Sequence, residues 1–288
     1  MPRGARPRRV IGEDAGMTAA FPDPPDPDGR RAAVADLVAG TRPLTARSVL
    51  ASALLGAHGA RLPASGMIAV AALFEISPGA VRTCLWRMVS DGELSTDEST
   101  YALAGHLLER RRRVDEAARP ELSRSRPWDG TWELAVVSLE RRPAADRLAL
   151  RKAAIALHLA ELREGVWTRP DNLDPDRLPG SRAVLDRQCV RFRGAASDLP
   201  PDAVRSLFGL DGWAHDARRL TAAMDAELDA ADGSPAYLFL LSIAVVRHLQ
   251  LDPVLPAALL DADWPADDLR RSYHRFEEVF NRLLTVRG

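Results

Sequence analysis

The sequence predicts an α+β protein, mostly helical, with three structured parts behind an unstructured N-terminal tail. Three observations predict it. From residue 44 to 118 the apolar residues recur with a helical period, interrupted once by a short hairpin pattern. From residue 128 to 193, three short runs of β-forming residues surround one helical stretch. From Pro201 onward the apolar stripes are all helical. The expected division is a tail over 1–40, then parts over 41–119, 120–200 and 201–288.

The tail carries Phe21-Pro-Asp-Pro-Pro-Asp-Pro-Asp-Gly, which cannot build helix or sheet and offers little to bury. Arg3, Arg6, Arg8 and Arg9 precede it with no apolar stretch behind them, so the segment is not a secretory signal. Two readings of that arginine run stay open, a solvated tail and a phosphate-binding arm. Met17 offers an alternative start of the protein.

The first helix is expected over 44–57, with Val49, Leu50, Ala53 and Leu54 on one face and Arg47 off it. A second follows over 63–74, packing Ile68, Ala71 and Ala72 inward. Ser77 then marks a third helix. Its hydroxyl can accept from a free amide of the first turn, and Pro78 suits the first helical position. Gly92 suits the position just past the end. At about 100° per residue, Val81, Cys84, Leu85, Met88 and Val89 gather on one side, and Arg82, Thr83, Trp86, Arg87 and Ser90 on the other. Two guanidiniums, a hydroxyl and an indole suit base edges and phosphates; the plainer reading is an amphipathic helix with a solvated face. Residues 94–103 read as a hairpin, with Tyr101 and Leu103 returning. Helix, helix, reader helix and hairpin in this order make a winged helix. A fourth helix over 104–118 carries Arg110 to Arg113, which circle it as a solvated surface or a flank lying along DNA.

In the middle, Trp128-Asp-Gly-Thr-Trp opens a buried strand over 131–139, an Ala/Leu-rich helix covers 143–159, and Gly165-Val-Trp-Thr-Arg-Pro and Cys189-Val-Arg-Phe-Arg read as further strands. These elements fit a small α+β sandwich. The C-terminal helices are expected over 201–208, 214–230, 234–249 and 266–284.

Composition narrows the function. A net charge of −1 argues against a basic nucleic-acid coat, so any DNA footprint is local. Lys152 is the single lysine among 39 basic residues. Two cysteines are too few for a disulfide framework or a zinc site, and Cys84 reads as a buried thiol. The six histidines lie far apart, and no Gly-rich phosphate loop or nucleophile elbow occurs. Asp129 alone, beside a glycine, is too little to hold magnesium for nuclease work. No enzyme activity, catalytic residue, metal or resident cofactor is expected. No apolar run spans a bilayer, and a cytoplasmic protein is expected.

Five stretches, in order, carry a family resemblance: Ala46-Arg-Ser-Val-Leu; Ala80-Val-Arg-Thr with Arg87 and Asp91-Gly; Trp128-Asp-Gly-Thr-Trp; Gly165-Val-Trp-Thr-Arg-Pro; and Asp252-Pro-Val-Leu-Pro-Ala-Ala-Leu-Leu with Asp263-Trp-Pro. The chain resembles the PaaX-type transcriptional repressors of phenylacetate catabolism. The resemblance implies an N-terminal winged helix, a central ferredoxin-like α+β domain and a helical C-terminal domain. It implies a homodimer on a double-stranded, palindromic operator, released by an aryl-acetyl-CoA or other acyl-CoA effector. Arg82, Thr83 and Arg87 match the reader-helix pattern; Arg47, Ser77 and Trp86 complete the expected DNA-binding set. Trp128, Trp132, Trp167 and Trp264 are the aromatic landmarks, read first as packing. Asp252 and Asp263 read as caps or turns. For the effector's phosphates, Arg141, Arg142, Arg151, Arg169, Arg191 and Arg193 are available, with no choice among them. Two departures stand out: the wing tip Ser95-Thr-Asp-Glu-Ser-Thr is acidic, and Trp86 replaces an expected small polar residue. Two alternatives therefore accompany the repressor reading, namely a regulator answering another signal and a protein–protein module without DNA binding.

Overall fold

The computed structural model describes residues 29, 31–39, 44–119, 125–195 and 199–286. Its helices are α1 (Ala35–Ala39), α2 (Ala46–Gly56), α3 (Ala64–Ala72), α4 (Pro78–Ser90), α5 (Gly105–Ala118), α6 (Ala144–Ala156), α7 (Pro179–Gln188), α8 (Pro201–Phe208), α9 (Leu210–Asp229), α10 (Pro235–Leu249) and α11 (Ala266–Val286). Its strands are β1 (Arg61–Pro63), β2 (Leu94–Asp97), β3 (Thr100–Leu103), β4 (Thr131–Val137), β5 (Ala160–Arg163), β6 (Val166–Pro170) and β7 (Cys189–Ala195). The class is α+β, with two antiparallel sheets ordered β1-β3-β2 and β5-β6-β4-β7.

Local chemistry sets the helix ends in the first part. Thr45 accepts from Ser48 N at 3.2 Å and starts α2, satisfying one of the amides that have no partner within the helix. α4 stops at Gly92, whose φ of 72° suits a residue without Cβ. Beyond it, Glu93 N reaches back to Met88 O at 2.9 Å and closes the helix end. The sequence reading starts a helix at Pro63. Instead, Arg61–Pro63 is an edge strand with Leu62 opposite Tyr101, and α3 begins one residue later. A proline is tolerated at a strand edge because no ladder donor is needed there. Arg111 of α5 donates to the carbonyls of Leu55 and Ala57 at 2.6 and 3.0 Å. A guanidinium thus satisfies carbonyls at the end of α2 and fastens α5 to it.

In the middle part β4 is central, between β6 and β7; the strand expected over 131–139 ends at Val137 and is buried at Trp132, Glu133 and Ala135. α6 and α7 cover one face, burying Ala135, Leu150, Ala154, Leu157 and Leu185. On the other face Trp132 packs with Val204, Leu210 and Leu255. β5 and α7 escaped the sequence reading. β5 is a short edge strand whose Glu161, Leu162 and Arg163 are all exposed, so it shows no buried alternation. α7 begins Pro179-Gly180 and is mostly polar. It is held by buried Leu185 and by Arg182, which pairs with buried Glu133 at 2.5 Å.

Of the C-terminal helices, α9, α10 and α11 share one continuous core with α2 to α5. Phe74 lies 5.4 Å from Phe239, ring centre to ring centre, and Phe239 lies 5.7 Å from Phe280. Each large apolar side chain so buried contributes about 1.5–3 kcal/mol. α9 starts at Leu210, earlier than the expected 214, because Gly209 at φ 62° ends α8 and the chain re-enters helix at once.

The disordered tail expected over 1–40 does not hold for its last residues. Residues 32–39 form a 3-10 turn and α1, with Val34 fully buried. Arg31 pairs with buried Glu227 at 2.7 Å and Arg219 pairs with Asp36 at 2.6 Å. A buried carboxylate and an apolar seat on the C-terminal helices supply what composition alone did not reveal. Residues 1–28, with the arginine run and Met17, lie outside the described residues. Among the described residues no helix is long and apolar enough to cross a membrane.

Candidate nucleic-acid interface

α4 is built from both ends. At its start Ser77 Oγ accepts from Ala80 N at 3.3 Å, and Pro78 occupies the first turn. At its buried face Val81, Leu85 and Met88 enter the core, with Cys84 and Val89 half-buried beside them. The predicted opposite face is the exposed one: Arg82, Thr83, Trp86, Arg87 and Ser90 all reach solvent. Trp86 is 71 % exposed, the highest value among the exposed large apolar residues. Leaving an indole in water forgoes burial energy that most tryptophans gain.

Thr83 Oγ1 donates to Gly79 O at 3.0 Å, which holds its side chain against the helix and leaves the oxygen's lone pairs outward. Among the described residues, the guanidiniums of Arg82 and Arg87 have no hydrogen-bond or ion-pair partner. Each offers a planar fork of donors, which suits two parallel acceptors such as a guanine edge or a phosphate.

Arg47 sits elsewhere. Its Nη2 lies 2.6 Å from Glu93 Oε1 and 3.0 Å from Asp91 Oδ2, and its Nε donates to Glu93 Oε2 at 2.9 Å. Bonds to Glu93 foremost, then to Asp91, hold the guanidinium protonated more firmly than usual. Ser77 is likewise committed, to its cap. The six expected residues thus divide: Arg82, Thr83, Trp86 and Arg87 form one outward face, while Arg47 and Ser77 hold the helix that carries it.

The hairpin β2–β3 follows α4, with Ser95, Thr96, Asp97, Glu98 and Ser99 exposed. Glu98 turns the chain at φ 53°. Of the arginine row on α5, Arg111 turns inward while Arg110, Arg112 and Arg113 are exposed.

The other expected residues resolve mostly into structure. Asp129 accepts from Thr131 N at 3.0 Å and from Thr131 Oγ1 at 2.6 Å, and these bonds hold its carboxyl below the usual range. Gly130 follows at φ 91°, so Trp-Asp-Gly-Thr-Trp is a turn into β4. Asp252 accepts from Val254 N at 3.0 Å and pairs with Arg270 at 2.6 Å. Asp263 pairs with Arg218 at 2.8 Å. Trp264 stacks on Trp213 with centroids 4.8 Å apart.

Arg169, one of the six cations noted for an effector, is 1 % exposed. It donates to the carbonyls of Pro170, Leu157, His158 and Val254 and to Asn172 Oδ1. Burial lowers its pKa to about 9. Arg191 and Arg193 pair with Glu133 and Asp186, and with Asp171. Arg142 donates to Gln188. Arg141 and Arg151 stay exposed. Among the described residues no group of His, Cys, Asp and Glu is placed to hold a metal ion.

Residues 45–107 match the family model described as PaaX-like protein. Residues 125–184 match the model described as PaaX protein central Cas2-like domain. Among solved structures the chain is similar to an uncharacterized protein, Rv0674 from Mycobacterium tuberculosis. The two are 40 % identical, with a TM-score of 0.68 over 84 % of this chain and 98 % of that one. No curated protein matches the chain.

Proposed function

The chain belongs to the PaaX-like family, whose membership points to a regulator, and on that premise we propose that it is a sequence-specific DNA-binding transcriptional repressor, released by an acyl-CoA-type effector. The observation that carries the proposal is the outward face of α4. Two guanidiniums with no partner among the described residues flank an exposed indole on a helix whose opposite side is locked in the core. A solvated helix face has no need of an exposed tryptophan, whereas a duplex groove offers it a thymine methyl or a sugar.

In this reading α2, α3, α4 and the β2–β3 hairpin form a winged helix, with α4 in the major groove and Arg47 aiming it through Glu93 and Asp91. The order β4-α6-β5-β6-α7-β7 with sheet order β5-β6-β4-β7 is that of a ferredoxin-like domain. Boundaries near 41–119, 120–200 and 201–288 follow, although the first and last parts share a core. The protein acts in the cytoplasm as a homodimer on two half-sites one or more helical turns apart.

A gel shift with the protein's own upstream DNA tests this. A retarded band that Arg82→Ala with Arg87→Ala abolishes is the expected result, and no retarded band at low salt would sink the reading. The acidic hairpin tip, Asp97 and Glu98, favours a second reading, a protein–protein module on the same fold, because each carboxylate near a phosphate opposes binding. In that case the double variant retains the protein's activity in cells.

A further inference from the structure

α6 buries Leu150, Ala153 and Ala154 against the central sheet and turns a second apolar row outward. On that row Leu148 and Ile155 are 54 % and 51 % exposed. They are seven residues apart, which at 100° and 1.5 Å per residue sets them on one line about 10 Å long. Ala144, one turn before Leu148, is exposed on the same line. A single exposed leucine is ordinary, but this row does not stop with the helix. Ile155 and Lys152 also line a cavity of about 490 Å3, which Leu251, on the segment after α10, shares. Leu251 is 58 % exposed. Contiguous exposed apolar side chains of this kind mark contact surfaces.

The rim of the row is basic. By the same helical geometry Arg147 and Arg151 lie on one side of it and Lys152 on the other. Arg147 donates to the carbonyl of Arg142 at 2.8 Å. Among the described residues, none of these three cations has an ion-pair partner, and all three are exposed. The carboxylates on the cavity wall are already committed. Glu116 pairs with Arg177 at 2.9 Å, and Arg270 pairs with Asp252 at 2.6 Å and Asp267 at 2.9 Å. Asp146, the single carboxylate of α6, lies about 160° round the axis from Leu148. The surplus charge beside the apolar row is therefore positive.

We propose that the outer row of α6, with the cavity at its end, docks an acidic amphipathic helix of another protein. Its apolar side chains rest on Leu148, Ile155 and Leu251, and its carboxylates face Arg147, Arg151 and Lys152. Leu148 stands outside the cavity, about two turns along α6 from Ile155, so the row extends past any small molecule held within. Apolar positions i and i+7 of an incoming helix repeat the same spacing of about 10 Å. Charge argues against a second copy of this chain meeting the row with its own. A two-fold axis would set Arg151 and Lys152 against their counterparts, and like charges across an interface oppose contact. The surface lies on the central part and is independent of whether α4 reads DNA.

Fluorescence anisotropy on the full chain tests it. The probe is a labelled helical peptide about 18 residues long, with leucine along one face and glutamate flanking it. Its control carries lysine for every glutamate. The glutamate peptide is expected to bind at least tenfold more tightly than the lysine peptide. Leu148→Gln with Ile155→Gln, both at exposed positions, should weaken that binding at least tenfold at an unchanged thermal midpoint. Arg151→Glu with Lys152→Glu should reverse the preference between the two peptides, while Arg163→Ala on β5 alters neither. No binding of the glutamate peptide, equal binding of both peptides, or indifference to the glutamine pair overturns the proposal. Two further outcomes also overturn it. If the glutamine pair splits an assembly of the chain on sedimentation, the row belongs to a second copy. If phosphatidylglycerol vesicles hold the parent chain but not the glutamine pair, the row belongs to a membrane. Because no DNA is present, each result is separable from a failed gel shift.

Discussion

Arg47 and Glu93 face each other across the first helical unit, with Arg47 Nη2 2.6 Å from Glu93 Oε1. The pair joins the first turn of α2 to the residue just beyond the end of α4. Glu93 is 9 % exposed, so removing its partner leaves a mostly buried carboxylate short of donors. Arg47→Ala is expected to cost about 1–3 kcal/mol, read as a lower midpoint in urea at unchanged slope. Glu93→Gln, which keeps an acceptor, should cost less. Equal midpoints for Arg47→Ala and the parent chain would show that the pair does not hold the helix.

Arg82→Ala and Arg87→Ala should do the reverse. Neither side chain has a partner among the described residues, so stability should stay within about 0.5 kcal/mol of the parent. Operator affinity should fall by about 1–3 kcal/mol for whichever arginine reads a base through paired contacts. Fluorescence anisotropy on labelled operator measures it. For about eight phosphate contacts per complex, log K against log salt should slope near −7. A flat response would count against binding through the backbone.

Glu98 combines a carboxylate with a φ of 53° at the hairpin tip. Asparagine tolerates that conformation better than most residues. Glu98→Asn is therefore expected to leave stability equal or raised and to increase operator affinity severalfold at low salt. Affinity unchanged by the substitution would place the tip away from the duplex.

His158 predicts an acid sensitivity. Burial, then the charges of Arg177 and Arg169, push its imidazole well below the ordinary value, and its Nε2 lies 3.3 Å from Arg177 Nη2, where it acts as an acceptor. The unfolded chain takes up this proton near pH 6.5 while the folded chain does not. Stability from this group is therefore complete above about pH 6.5 and is lost as pH falls below it. Burial lowers His248 in the same sense. His158→Gln should shrink the loss of stability between pH 7.5 and pH 5.5, followed by denaturation at each pH. An unchanged loss would assign the sensitivity to other groups.

What was legible in the sequence was periodic or capped. The apolar stripe of α4, its Ser77 start and its Gly92 stop each depend on neighbours within a few residues, and all three stand as read. β1 and α7 were not legible because each is held by a distant partner, Tyr101 for β1 and Glu133 for α7; β5 pairs locally with β6 but exposes Glu161, Leu162 and Arg163, so no buried alternation marks it. The same holds for the site. The outward face of α4 follows from helical geometry, whereas the commitments of Arg47 to Asp91 and Glu93 and of Arg169 to four carbonyls are tertiary facts. In a chain this rich in arginine, spent and unspent guanidiniums look identical on paper. Lys152 differed only by being the single lysine, and its place on a cavity wall needed α6 to meet α5.

Trp86 also makes the protein its own reporter. The other five tryptophans are buried or half-buried, so an aqueous quencher such as iodide reaches mainly this one indole, whose emission lies at the red end of the spectrum. A duplex arriving on α4 would shield it, shifting the emission to the blue and blunting the quenching without any attached dye. An operator that docked elsewhere on the molecule would leave that optical signal untouched.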